Sequence, residues 1–120
     1  MNYQFNSPNE VLQAILDFFQ DSSKWVKYAY ACDENYEMIS IRDPKATCFC
    51  LKGLLNFFVI KNMCSLETMN TAEKAINMAL YNIGFNKIRD YIDTERFNDL
   101  PFTNIQSIQS IIIDAKNLAK

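Results

Sequence analysis

The chain contains no histidine. That removes the commonest general base, a frequent zinc ligand, and every Ser-His or Cys-His nucleophile pair. Glycine is scarce, with 2 residues in 120, and there are only 3 prolines. With 49% hydrophobic and 13% aromatic content, this composition excludes a disordered chain. Neither sign of charge dominates: 12 basic and 14 acidic residues, well mixed, leave a formal net charge of -2. Nucleic-acid binding needs clustered Lys/Arg to displace counterions, and there is no such cluster, so no direct nucleic-acid partner is expected. Mimicry of nucleic acid would need a dense acidic face, which is equally missing. Long apolar runs are also lacking. Leu54 to Ile60 is broken by Asn56 and falls well short of a bilayer span, so no membrane association is expected. The opening Met1-Asn-Tyr-Gln-Phe-Asn has neither the basic nor the apolar region of a secretion signal. Cys32, Cys48, Cys50 and Cys64 lack the spacing of a disulfide framework. The expectation is one reduced, cytoplasmic domain over residues 1–120.

What is present is a hydrophobic stretch on which the rest can pack. From Asp43 and Pro44 onward the sequence opens like a helix, with a capping side chain and proline at the first helical position. Lys45, Lys52 and Asn56 fall in one narrow wedge and almost everything else to Ile60 is apolar, which predicts a central buried helix over 44–62. Ser7-Pro8-Asn9-Glu10 predicts a first helix to about Asp21, with Val11, Leu12, Ile15, Leu16, Phe18 and Phe19 inward and Tyr3 and Phe5 stapled onto it. Trp25–Ala31 and Tyr36–Ile41, rich in aromatic and β-branched residues around Cys32-Asp33-Glu34-Asn35, predict a β-hairpin at about 25–41 anchored by Trp25. Asn70 and Glu73 can cap a third helix with Ala72, Ala75, Ile76, Ala79, Leu80 and Ile83 inward, ended by Gly84. A short charged segment, Asn86 to Glu95, precedes a turn at Phe97–Pro101. Thr103 with Gln106 then caps a last helix with Ile105, Ile108, Ile111, Ile112, Ala115 and Leu118 inward and Ile113 off the stripe. The fold class is mainly α (α+β): four to five helices around a central buried helix, with one small β-hairpin between helices 1 and 2.

The order Trp25, Ala31-Cys32-Asp33, Pro44-Lys45-Ala46, Cys50-Leu51-Lys52-Gly53-Leu54 and Asn98-Asp99-Leu100-Pro101 resembles a family of small bacterial and phage proteins defined only as a domain of unknown function. That family's pattern is Trp, a turn ending in Asp, Pro-x-Ala, Cys-Leu-x-Gly-Ala and a late Trp-Asn-Asp-x-Pro. Here Phe97 and Leu54 depart from it, and the hairpin turn lacks its usual Gly. The resemblance implies the fold and no reaction.

Three sets of residues carry candidate chemistry. Cys48-x-Cys50, read on a helix, points to opposite sides and cannot grip one ion, so buried thiols without metal or cofactor are expected. Asp33, Cys50, Asn98 and Asp99 form a candidate polar cleft for a small ligand or a divalent ion; the alternative is that the Asx residues bond local backbone and cap the final helix. Trp25, Tyr28, Tyr30 and Tyr36, with Ile113, form a candidate partner-binding surface; the alternative is that the hairpin's aromatic face covers the core. Asp90, Asp93, Glu95 and Asp99, alternating with Arg89 and Arg96, read as a solvated face. The expected function is non-enzymatic binding of another macromolecule, a protein. Its narrower form is a phage-type inhibitor of a bacterial defence complex, as anti-CRISPR proteins are, by analogy of size and composition. The alternatives are an enzyme using the Asp33–Asp99 cleft and a homodimer joined through the hairpin or the last helix.

Overall fold

Ser7 starts the first helix: its hydroxyl accepts from the Glu10 N–H, and Pro8 fills the first helical position. In the computed structural model, which describes residues 2–85 and 92–119, this helix is α1 (Pro8–Phe18). Val11, Leu12 and Ile15 are buried on its inner face, and Phe19 just beyond it. Phe5 packs against the hydrophobic core. Its N–H bonds to the Met63 carbonyl and its ring meets Phe58 edge-on at 5.1 Å, tying the N-terminal arm to the central helix.

Between α1 and that helix lies a small antiparallel sheet, β1 (Ala31–Cys32) paired with β2 (Cys48–Phe49). The expected hairpin partner is therefore corrected in part. The turn forms where expected, with Asp33 Oδ1 accepting from the N–H groups of Asn35 and Glu37 and a bridge joining Cys32 to Met38. The longer ladder, however, is with Cys48–Phe49, on the far side of β1. Trp25–Ala31 is not one strand: Trp25 bridges Phe49 in parallel sense, and the backbone turns at Tyr28, whose φ is 66°.

This pairing moves the start of the central helix. Asp43 accepts from the Lys45 N–H in an isolated turn, and Thr47 N–H is drawn to the Cys32 carbonyl. The central helix, α2, is Leu51–Ile60 and begins after Cys50, not at Pro44. None of its residues is fully exposed. Consequently Cys48 lies on a strand and Cys50 at a helix cap, so the two are not on one helix as expected. Lys45 is likewise outside α2, and Lys52 pairs with Glu73 at 2.6 Å.

After a turn through Asn62, α3 (Leu66–Asn82) is capped by Ser65, whose hydroxyl accepts from Thr68 N–H; Asn70 and Glu73 lie within it. Ala72, Ile76, Ala79 and Leu80 are buried as expected, whereas Ile83 is exposed at its end. Gly84, at φ 120°, turns the chain out of the helix. The expected segment Asn86 to Glu95 lies outside the described residues up to Tyr91. Its end, with Phe97-Asn98-Asp99, forms α4 (Thr94–Asp99), capped by Asp93, where a turn was expected. The last helix, α5 (Ile105–Leu118), is capped by Asn104 in a reciprocal box with Ser107, one residue later than Thr103 with Gln106. Ile108, Ile111, Ile112 and Ala115 are buried; Leu118 is exposed.

Helices α1, α3 and α5 pack on one another most closely, and α2 joins them through α1 and α3 while α4 leans on α2. The described residues are thus mainly helical, with one two-stranded sheet among them. Among the described residues no helix is long and apolar enough to cross a membrane.

Candidate functional site

Asn98 is fully buried on α4 and makes four contacts that join three parts of the chain. Its Oδ1 accepts from Trp25 Nε1 at 2.6 Å and from Leu51 N–H at 3.0 Å. Its Nδ2 donates to the Val26 carbonyl and to Asp99 Oδ1, both at 3.0 Å. Leu51 N–H is one of the free donors at the start of α2, so a side chain from α4 completes that helix end. Cys50 supplies a second cap, its Sγ accepting from Gly53 N–H at 3.2 Å.

Asp99 continues the same junction. Its Oδ1 accepts from Tyr28 N–H at 2.9 Å and holds the arm where it turns into the left-handed region. Lys27 Nζ donates to the Leu100 carbonyl at 2.7 Å, and Tyr30 Oη to Glu95 Oε1 at 2.6 Å. Residues 25–30 are therefore laid along α4 by polar contacts, with Trp25 as their anchor as expected. Neither Asn98 nor Asp99 caps the final helix; both reach across the chain.

The structure divides the expected polar cleft. Cys50 and Asp99 line a cavity of about 190 Å³ with Tyr28, Tyr30, Met38 and Glu95, and Asn98 is buried beside it. Asp33 lines a different cavity, of about 350 Å³, with Glu34, Asn35, Lys45 and Thr47. Its carboxylate is occupied by its own turn, as the alternative held. Glu95 and Met38 are members of the first cavity that the sequence did not suggest. Glu95 lies four residues before Asp99, one helical turn, and that spacing was the available signal.

The aromatic set is also divided. Trp25 is partly buried and spoken for by Asn98, so it belongs to the scaffold. Tyr28 is 71% exposed, Met38 72%, and Tyr30 and Tyr36 about half. Ile113 is exposed too, but lines a separate hollow with Asn9, Leu16, Lys116 and Asn117.

Four free thiols are buried, and among the described residues no three His, Cys, Asp or Glu side chains are grouped to hold a metal. Burial pushes the Cys50 thiol up to about 11, and the hydrogen bond to Glu95 pushes the Tyr30 phenol up to about 12. Cys50 is thus a protonated cap at neutral pH, not a nucleophile. Both groups hold their protons more tightly when folded, from ordinary values of 9.0 and 10.0. Their contribution to stability is complete below pH 9 and is lost as pH rises through 11 and 12. The urea midpoint should fall steadily across that window, and Cys50→Ala should flatten its lower half.

No family model, curated protein or solved structure matches this chain.

Proposed function

We propose that this protein acts by binding another protein through the face formed by Tyr28, Tyr30 and Met38. The observation that carries this reading is Tyr28, a large ring held 71% exposed on backbone at φ 66°. A side chain in the left-handed region costs about 1–2 kcal/mol, which glycine avoids. Tyr36 also has a positive φ, 62°, but as part of the Asp33 turn, with its hydroxyl donated to the Ser23 carbonyl. Strain of this kind persists where the surrounding structure enforces it, and it clusters at ligand clamps and binding surfaces. Tyrosine is also a favoured interface anchor.

Replacing Tyr28 by Gly keeps the N–H that Asp99 holds. Relief of about 1–2 kcal/mol exceeds the roughly 0.5–1 kcal/mol that a more flexible unfolded chain costs. Tyr28→Gly should therefore be about 0.5–1 kcal/mol more stable in urea unfolding. A loss of stability would mean that the ring serves the fold.

The narrower form, a phage-type inhibitor of one large bacterial defence complex, rests on size, slight acidity and the missing histidine. Membership of the family of small bacterial and phage proteins rests on the Trp25, Cys50-Leu51-x-Gly53 and Asn98-Asp99-x-Pro101 order. The binding reading and its narrower form are tested by capture on the tagged chain from a bacterial lysate at moderate salt, followed by mass spectrometry and light scattering. One stoichiometric partner, lost on Tyr28→Ser with Met38→Ser and kept on Ile113→Ser, is the expected result. A chain that holds only a second copy of itself, or nothing, would overturn the reading.

A further inference from the structure

The cavity on the tyrosine face has a chemistry of its own. Tyr28 and Tyr30 flank it, with Met38 alongside, and Glu95 and Asp99 present two carboxylates. No basic residue is among those lining it. Glu95 and Asp99 stand one turn apart on a helix of six residues. Like charges at that spacing repel, a small but definite penalty. The fold uses one oxygen of each: Oε1 of Glu95 takes the Tyr30 hydroxyl, and Oδ1 of Asp99 takes Tyr28 and Asn98. The second oxygens, Oε2 and Oδ2, accept no hydrogen bond among the described residues. Two spare anionic acceptors beside aromatic rings are complementary to a cation with a flat, multi-donor head.

We propose that this cavity receives the guanidinium of an arginine presented by the protein partner, stacked on the tyrosines and bonded to Glu95 and Asp99. The inference rests on the binding reading above and names the chemistry of its contact. Size agrees with it: about 190 Å³ is smaller than the roughly 300–1,000 Å³ of small-molecule sites and suits one side chain. Arginine fits better than lysine because its planar fork can meet two acceptors and stack at once. The Tyr30 phenol is pushed up first by its hydrogen bond to Glu95 and then by burial, with a smaller push from the negative charge of Glu95 and Asp93.

The test is a titration of the full chain with N-acetyl-arginine amide at low salt, followed by amide NMR. Shifts should be confined to residues 28–30, Cys50 and 95–99 and should saturate. N-acetyl-citrulline amide, the neutral isostere, should bind at least tenfold more weakly. Glu95→Gln with Asp99→Asn, which preserves the acceptors used by Tyr30 and Tyr28, should weaken arginine binding at least tenfold. Glu95→Gln alone, which leaves every Asp99 contact in place, should weaken it several-fold and covers the case in which the double variant unfolds. Equal binding of citrulline, equal binding of N-acetyl-lysine amide, or indifference to the carboxylate variants would overturn the proposal. If those variants leave capture of a partner on the tyrosine face unchanged, the arginine contact falls while the binding reading stands. If arginine amide binds as described and no partner is captured, the cavity stands and the binding reading falls.

Discussion

Asn98→Ala is expected to destabilise the protein by about 3–5 kcal/mol. The substitution removes an acceptor from two donors, Trp25 Nε1 and Leu51 N–H, and a donor from Val26 and Asp99. Each buried group left without a partner costs about 1–3 kcal/mol, and Asn98 itself is fully buried. Water cannot substitute easily at the Leu51 site, which is fully buried. Such a loss would be a large share of the roughly 5–15 kcal/mol that holds a small domain together. Trp25→Phe removes one of the two donors together with its bond, so it should cost less. Because the two residues share a hydrogen bond, the double variant should cost less than the sum of the single ones. Urea unfolding of the four proteins measures this directly. A loss below about 1 kcal/mol for Asn98→Ala would mean that the junction between α4, α2 and the arm does not stabilise the fold.

Gly53→Ala should lower stability by about 3 kcal/mol or more, against the trend for helices. Alanine in place of glycine inside a helix normally gains about 1 kcal/mol. At Gly53 an added Cβ would overlap the Tyr30 carbonyl oxygen and stand 2.8 Å from its carbonyl carbon. Both are backbone atoms, so no side chain can rotate away, and forced overpacking outweighs the propensity gain. The arm must move, taking with it the Cys50 N–H bond to the same carbonyl and the Tyr30 contact with Glu95. The Tyr30 phenol should then fall from about 12 back toward its ordinary 10.0. Absorbance titration of tyrosine alongside thermal unfolding checks both consequences. A stabilised Gly53→Ala would show that α2 and the arm are not in contact at this point.

These two residues also mark where the sequence could and could not be read. Helix α1 was legible because its start is local: Ser7, Pro8 and Glu10 sit together and an apolar stripe follows. The apolar stripes of α3 and α5 were legible too, apart from Ile83 and Leu118 at their exposed ends, as was the exposure of Ile113, but the caps that start both helices were misplaced. The start of α2 was misread because Asp43-Pro44 satisfies the local rule for a cap. Residues 47–49 are instead held by Cys32 and Ala31, and no local pattern carries that pairing. Asn98 and Asp99 read as turn formers because short Asx residues usually bond nearby backbone. Their partners here, Trp25 and Tyr28, lie far away in sequence. Gly53 did leave a trace, since a glycine inside an otherwise apolar helix is a sign that another backbone comes close. Tyr28 left none: nothing in its neighbours signals a left-handed tyrosine.

The most direct measurement is made on Tyr28→Gly, comparing its stability and its capture of a partner with those of the wild-type chain. The predicted result is a folded protein, more stable in urea, that no longer retains the stoichiometric partner held by the wild type. A Tyr28→Gly chain that is less stable, or that captures the same partner as fully as before, would contradict the claim that this strained ring is kept for binding.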